Sequence, residues 1–289
     1  PITGKQSEPK YLDGAEPKFT AEDDPRHALV DWMADPKNPF FAKAMMNRLW
    51  GHFFARGLYD QIDDQRETNP PSNPELLEAL AKDFIAHKLD TKHMIRTIVN
   101  SRTYQQSNTP AAGSETDRAN YAFFPMRRLP AEVLLDAVNS ATGTTEKMDM
   151  KYQHWPEEMT TVQVPFMPKN TFVSFVLENF GRPRRNAAVQ CDCERDGSGS
   201  IFQVLTLANH PRVWEKIKEP TGRVSKLSKA ATADASKIDE LFLATLSRLP
   251  TEAERDACVV FVKKAESSEK GLQNVLWSLV NTREFLLQH

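Results

Sequence analysis

The sequence predicts an all-α fold with long irregular connections and at most a short strand or hairpin. Three observations carry that expectation. An Asp or Asn followed directly by proline recurs at Asp24-Pro25, Asn38-Pro39 and Asn73-Pro74, which supplies a side-chain cap and a residue pre-set for the first helical turn. Apolar residues then recur at three- and four-residue intervals, as a helix face turned toward a core requires. Thr251 and Glu254 have the T-x-x-E spacing of a capping box.

Taken in order, residues 1–23 are polar, carry Pro1, Pro9 and Pro17 and show no apolar periodicity, so they read as a linker from an upstream domain. The chain starts at Pro1 without a Met, which points to a piece of a longer protein. Folding begins at Asp24, with Leu29, Trp32 and Met33 at helical spacing. The helix opened by Asn38-Pro39 carries Phe41, Ala44, Met45, Leu49 and Phe53 on one stripe and is expected to end at Gly57 in the left-handed conformation. Asn73-Pro74 opens a helix through Leu76, Leu77, Leu80, Ala81 and Phe84; another follows Asp90 and Thr91 with Met94, Ile95, Ile98 and Val99 facing inward. Pro130 starts a helix through Val133, Leu134, Ala137, Val138 and Ala141 that Gly143 closes. Prolines interrupt residues 144–170, where Thr161 to Val164 is the candidate strand. A helix over Phe172 to Phe180 ends at Gly181, and a short one carries Ile201, Val204, Leu205 and Ala208, with Ser200 as its cap. Residues 219–236, rich in Lys, Ser and Ala, read as mobile or solvent-facing. The last helices use Ile238, Leu241, Phe242 and Leu246; then Ala257, Cys258, Phe261, Val262 and Ala265; then Leu272, Val275, Leu276, Leu279 and Leu286. Residues 24–289 are thus expected to form one helical domain with subregions 24–104, 127–217 and 237–287. The first and last of these are expected to share one cooperative core, because helices this short need tertiary partners.

Bulk properties exclude more than they assign. The 289 residues are 40% hydrophobic, enough for a sizeable core, and 37 basic against 39 acidic residues leave a net charge of -2. No global field draws such a chain to nucleic acid or an anionic membrane. No apolar run approaches the roughly 20 residues of a membrane span, and no signal peptide is visible. The three cysteines are too few for a disulfide framework and lack zinc-site spacing; no C-x-x-C-H attaches a haem.

The wording of several segments is familiar. "NPFFAKAMMNRLWGHFFARGLYDQIDDQRETNPPSNPELLEALAKDFIAHKLDTKHMIRTIVNSRTYQQS" from Asn38 to Ser107 resembles the planctomycete-type C-terminal domain of unknown function that follows a cytochrome-c-like region and a second uncharacterised domain. "RRLPAEVLLDAV" from Arg127, "FGRPRRNAAVQCDCERDGSGSIFQVLTLANHP" from Phe180, "LFLATLSRLPTEAE" and "LWSLVNTREFLLQH" follow in the order of that family. The resemblance covers almost the whole chain after residue 24. It implies an exported, periplasmic or otherwise extracytoplasmic multidomain protein, haem in an upstream domain rather than in this chain, upstream domains as partners, and a polysaccharide-degradation setting. It brings no agreed activity or catalytic residues.

Candidate site residues come from clusters. Asn47, Arg48 and His52 sit together on one helix, Arg48 and His52 on one face, as a polar pocket wall or as a buried network tying the helix to the following loop. Asp60, Asp63 and Asp64, with Arg66 and Asn69, are carboxylates suited to a hard cation or to acid-base work, or to pairing with Arg66; they lack the EF-hand pattern. Among the seven histidines no H-E-x-x-H or other ligand pair with a supporting carboxylate is apparent, so no metal site is expected. "GSGSI" lacks the G-x-S-x-G of a nucleophile elbow. Cys191 and Cys193, flanked by Arg185 and Arg195, are a candidate redox pair, or else partly buried thiols or a strained disulfide with no role. Arg182, Arg184, Arg185 and Arg195, with Arg127 and Arg128, form a candidate surface for sulfate or carboxylate groups of an anionic glycan, or pair internally with Glu178, Glu194 and Asp196. The leading expectation is a binding or docking module with that arginine surface. The alternative is an extracytoplasmic carbohydrate-active or redox enzyme using the carboxylate, arginine and cysteine groups.

Overall fold

A computed structural model describes residues 9–20, 22–117, 119–149, 156, 159–165, 167–182 and 201–288. The chain is mostly helical, as expected, and divides into two compact units, Pro1–Pro125 and Met126–His289.

In the first unit, α1 (Pro25–Ala34), α2 (Phe41–Phe54), α3 (Pro74–Ala86) and α4 (Thr91–Val99) follow one another. Met46, Trp50, Phe54, Leu77, Phe84, Met94 and Ile98 from α2 to α4 make its core. Asp24, Asn73 and Asp90 cap α1, α3 and α4 by accepting from the amides of Arg26, Leu76, and Lys92 and His93. Asn38 behaves differently. Its Oδ1 accepts from Phe40 and Phe41 and its Nδ2 donates to the Trp32 carbonyl, so the buried Asn forms a turn, Pro39 stays outside, and α2 begins two residues late. The inward stripe is accordingly Ala42, Met46, Trp50 and Phe54; Phe41, Met45, Leu49 and Phe53 pack half-buried around it. Ala55, at φ 58, reverses the chain in place of Gly57. Gly57 is required for a separate reason, because a Cβ there would lie 2.6 Å from the Tyr59 carbonyl oxygen and 2.9 Å from Asn47 Oδ1. On α4, Ile95 faces solvent and only Met94 and Ile98 are buried. Tyr11, in the segment read as linker, stacks on Trp32 at 5.0 Å and donates its hydroxyl to the Ala28 carbonyl.

The second unit runs β1 (Arg127–Arg128), α5 (Ala131–Thr142), α6 (Thr171–Asn179), α7 (Ile201–Asn209), α8 (Pro211–Ile217), α9 (Arg223–Lys229), α10 (Asp234–Leu246), α11 (Glu252–Lys264), α12 (Ser268–Val280), α13 (Arg283–Leu286) and β2 (Leu287–Gln288). The strands form an antiparallel pair with Arg127 opposite Gln288. Leu134 and Val138 of α5, Ile238 and Leu241 of α10, and Leu272 and Leu276 of α12 centre its core. Residues 42–98 and 238–285 therefore build different clusters, where the sequence led us to expect a shared one.

Other departures have local causes. Thr161–Gln163 is a 3-10 turn rather than a strand: the Asp136 carboxylate takes the amides of Thr161 and Val162, which a sheet ladder would have needed. Residues 219–236 include α9, whose Val224 and Ser225 are buried. On α11 only Val262 is buried, and Phe261 is half exposed. Gly271 of α12 explains the rotation, since a Cβ there would come within 2.9 Å of the Val262 Cα; the two helices touch along that line and Phe261 turns away. Cys258 is half-buried, and burial pushes its thiol above the usual range.

Two ionic knots tie this unit. Lys216 Nζ, its side chain 1% exposed, donates to Glu146 Oε1 at 2.8 Å and Asn139 Oδ1 at 2.7 Å, while Arg212 also reaches Glu146 at 3.1 Å. Burial pushes the Glu146 carboxyl up, but hydrogen bonds from Lys216 and Arg212 outweigh it and hold the group below the usual carboxylate range. Arg248, between α10 and α11, makes paired bonds of 2.6 and 2.8 Å to Glu284 and of 2.9 Å each to Glu254. Those bonds pull Glu254 down to about 2, helped by the Thr251 amide in the expected capping box. Among the described residues, no helix is long and apolar enough to cross a membrane.

Candidate functional site

The clusters singled out from the sequence in the first unit each have a definite place. Asn47 is fully buried; its Nδ2 donates to the Ile62 carbonyl at 2.8 Å and its Oδ1 accepts from the Tyr59 amide at 3.0 Å. It stitches the 57–62 loop to α2. Losing it would strand two backbone groups, each costing about 1–3 kcal/mol when buried and unsatisfied. Arg48 pairs with Asp63 at 2.7 Å, both half exposed, and His52 meets the edge of Phe53. The carboxylates of the loop do not converge on a common point: Asp60 pairs with Arg56, Asp63 with Arg48, and Asp64 with Arg66 at 2.6 Å. The Arg66 guanidinium holds Asp64 below its ordinary value. Asn69 donates to the Asp64 carbonyl.

Two of the candidate arginines of the second unit, Arg128 and Arg182, lie at the C-terminal end of α6. Arg128 donates to the Phe180 carbonyl at 3.0 Å and to Gln203, and lies over the Phe180 ring. Arg182 Nε faces Glu132 at 3.3 Å while its Nη2 donates to the Val164 carbonyl at 2.7 Å. Positive charge at a helix C-terminus complements the exposed carbonyls there. Arg127 instead donates to Gln288 across the strand pair. Arg184, Arg185, Glu194, Arg195, Cys191 and Cys193, like Ser200, lie outside the described residues.

The one group of potential metal ligands found among the described residues was missed in the sequence: Asp83, His87 and His93. The expectation that no histidine pair shares a carboxylate is corrected here. Asp83 and His87 are one turn apart at the end of α3, and His93 stands in the first turn of α4. His87 Nδ1 lies 3.1 Å from Asp83 Oδ1 and 3.0 Å from the Asp83 carbonyl oxygen; His93 Nε2 lies 2.9 Å from Asp83 Oδ2. The imidazoles stack with centroids 3.6 Å apart and planes inclined by 18°. What brings them face to face is the connection. Lys88 and Leu89 are successive non-glycine residues at φ 55 and 63, a left-handed step that L side chains avoid at a cost of roughly 1–2 kcal/mol each. Leu89 offsets this by packing on the core, and Asp90 then caps α4 through the His93 amide. The available sequence signal was D-x-x-x-H followed by a histidine six residues on, across a capped turn, a spacing invisible to a search within one helix.

Searches of curated proteins and of solved structures return no match to this chain. A family match does exist, and it spans α1 through most of α11, residues 25–262, covering both the Asn47 and Asp83 clusters and the arginine-bound end of α6. The chain belongs to PSD1, a family of proteins of unknown function (DUF1553).

Proposed function

We propose that the chain is a binding module that docks on other domains of the same exported, haem-bearing polypeptide through the apolar face of α1. The observation that carries this reading is that α1 buries none of its own residues. Leu29 is 46% exposed, Val30 58% and Met33 37%, on one face by their spacing, with Phe40 also exposed nearby. Exposed Arg26, Asp31 and Asp35 border them. An apolar patch with a polar rim is the usual surface of a protein-protein contact. The pairing of Asp63 and Asp64 with arginines supports binding over acid-base catalysis. Leu29→Glu with Val30→Glu changes exposed positions and leaves stability within about 0.5 kcal/mol. Titrated against the separately produced upstream region, the wild-type chain is expected to bind and the double variant to lose binding. Equal binding by both would sink the docking face.

A second reading, recognition of an anionic glycan in polysaccharide utilisation, is favoured by the convergence of Arg128 and Arg182 where the segment bearing Arg184 and Arg185 departs. Those two described arginines are occupied in holding α6, so the ligand contacts fall to Arg184, Arg185 and Arg195. Calorimetry is expected to give binding to a sulfated glycan that weakens with salt and disappears in Arg184→Ala with Arg185→Ala, the protein remaining folded. The same heat with an uncharged glycan would leave these arginines a structural role.

A further inference from the structure

The geometry points to a site for a divalent transition-metal ion formed by Asp83, His87 and His93, and we propose that the first unit binds such an ion there. The three donor atoms, one from each side chain, all lie within 4.8 Å of one another. Ligands held 2.0–2.2 Å from a tetrahedral or octahedral ion sit roughly 2.9–3.5 Å apart. The carboxylate-imidazole separations, 3.1 Å from Asp83 Oδ1 to His87 and 2.9 Å from Oδ2 to His93, fall in that range, and an ion shared by one oxygen and both imidazoles is reached when the stacked rings swing out of parallel about their side-chain torsions.

The donor set selects the class of ion. Two imidazole nitrogens and one carboxylate suit Zn(II), Co(II), Ni(II) or Fe(II), whereas Ca(II) and Mg(II) take oxygen ligands almost exclusively. In the metal-free arrangement His93 Nε2-H donates to Asp83 Oδ2, and His87 Nδ1-H donates to the Asp83 carbonyl oxygen with Oδ1 3.1 Å away. For binding, each imidazole carries its proton on the opposite ring nitrogen and turns its freed lone pair to the ion, and the carboxylate supplies one negative charge. Asp83 is 36% exposed, His87 48% and His93 32%, so solvent reaches the ion and water fills the positions that three protein ligands leave open.

The backbone shows the same preorganisation. Asp83 and His87 are fixed by one turn of α3, and His93 by the Asp90 cap, whose Oδ1 accepts from its amide. The strained step through Lys88 and Leu89 sets the distance between the two histidines, and the face-to-face packing of two polar rings at a partly exposed position gains little apolar burial. A helix connection needing only to turn would place a glycine there and leave the rings apart.

The test titrates the chelator-treated full chain with zinc chloride by calorimetry, and with cobalt chloride while recording visible absorption. Expected are saturable binding of a single ion, Co(II) d-d bands showing nitrogen and oxygen ligation, and a raised melting temperature for the first unit, because an ion that binds only the folded form stabilises it. His87→Gln and His93→Gln keep a hydrogen-bond donor to Asp83 while removing the imidazole, so a merely structural role survives in them. Each is expected to weaken Zn(II) binding by at least about tenfold, equivalent to roughly 1.4 kcal/mol. His52→Gln is expected to bind as the wild type does. Absence of saturable binding, or undiminished affinity in both His87→Gln and His93→Gln with circular dichroism unchanged, overturns the site.

Discussion

Replacing Lys216 with methionine will destabilise the second unit by about 3–5 kcal/mol, the cost of leaving one member of a buried ion pair behind. Glu146, 2% exposed at its side chain, would keep Arg212, itself 41% exposed, as its one cationic partner among the described residues. Asn139 and Thr144, which accept from Lys216, would lose their donor as well. The effect depends on pH in a definite sense. Because Glu146 is held below its unfolded value of about 4.3, it contributes stability that is complete above that pH and is lost as pH falls through the lower folded value. Without Lys216 burial dominates, the folded carboxyl rises, and the variant weakens from a higher pH than the wild type. Glu146→Leu in the Lys216→Met background should recover part of the loss, since removing both charges also removes the desolvation penalty. Denaturant unfolding of the two variants and wild type across the acid range measures all of this. A loss below about 1 kcal/mol in the single variant would mean that water, rather than Glu146, satisfies the lysine.

A chain ending at residue 236 will lose the second unit entirely while the first stays folded. The cut removes Ile238, Leu241, Phe242, Leu272, Leu276 and Leu279 from one buried cluster and nothing from the cluster around Met46 and Phe84. Six large apolar residues at about 2–5 kcal/mol each exceed the stability of an ordinary domain. Helical circular dichroism should fall by more than the deleted helices account for, whereas the Trp50 environment, monitored by fluorescence in a variant lacking the other tryptophans, should stay native and melt cooperatively. Collapse of both signals would mean that residues 24–289 unfold as one domain, as the sequence alone led us to expect.

Elements defined by local chemistry were legible from the sequence. Asp24, Asn73, Asp90, Gly143 and the Thr251-Glu254 box each act within a few residues of chain, and each stands where its pattern puts it. Faces were less legible. The stripe of α2 slipped by one because Asn38 spends its side chain on a turn, and the stripe of α11 because Gly271, on another helix, sets the line of approach. Neither cause is contained in the periodicity of the helix it moves. Of the candidate site, Asn47 could be read as a network residue from its own helix, but its partners Tyr59 and Ile62 are loop backbone atoms. The grouping of Asp83, His87 and His93 depends on two left-handed residues that carry no glycine signature, so the turn that creates it looks like ordinary helix sequence.

The pairing of Arg127 with Gln288 means that the second unit has a single doorway. Residues 161 positions apart in the chain meet across one strand spacing, so whatever precedes residue 126 and whatever follows residue 289 attach at the same spot. Such a unit can be carried as an insert: a host loop accepts it without being pried open, and joining its ends directly and cutting elsewhere leaves its packing unchanged. Closing so long a loop has a large entropic cost and is rewarded by only two residues of ladder on each side, so the doorway shuts after the helices have assembled rather than guiding them.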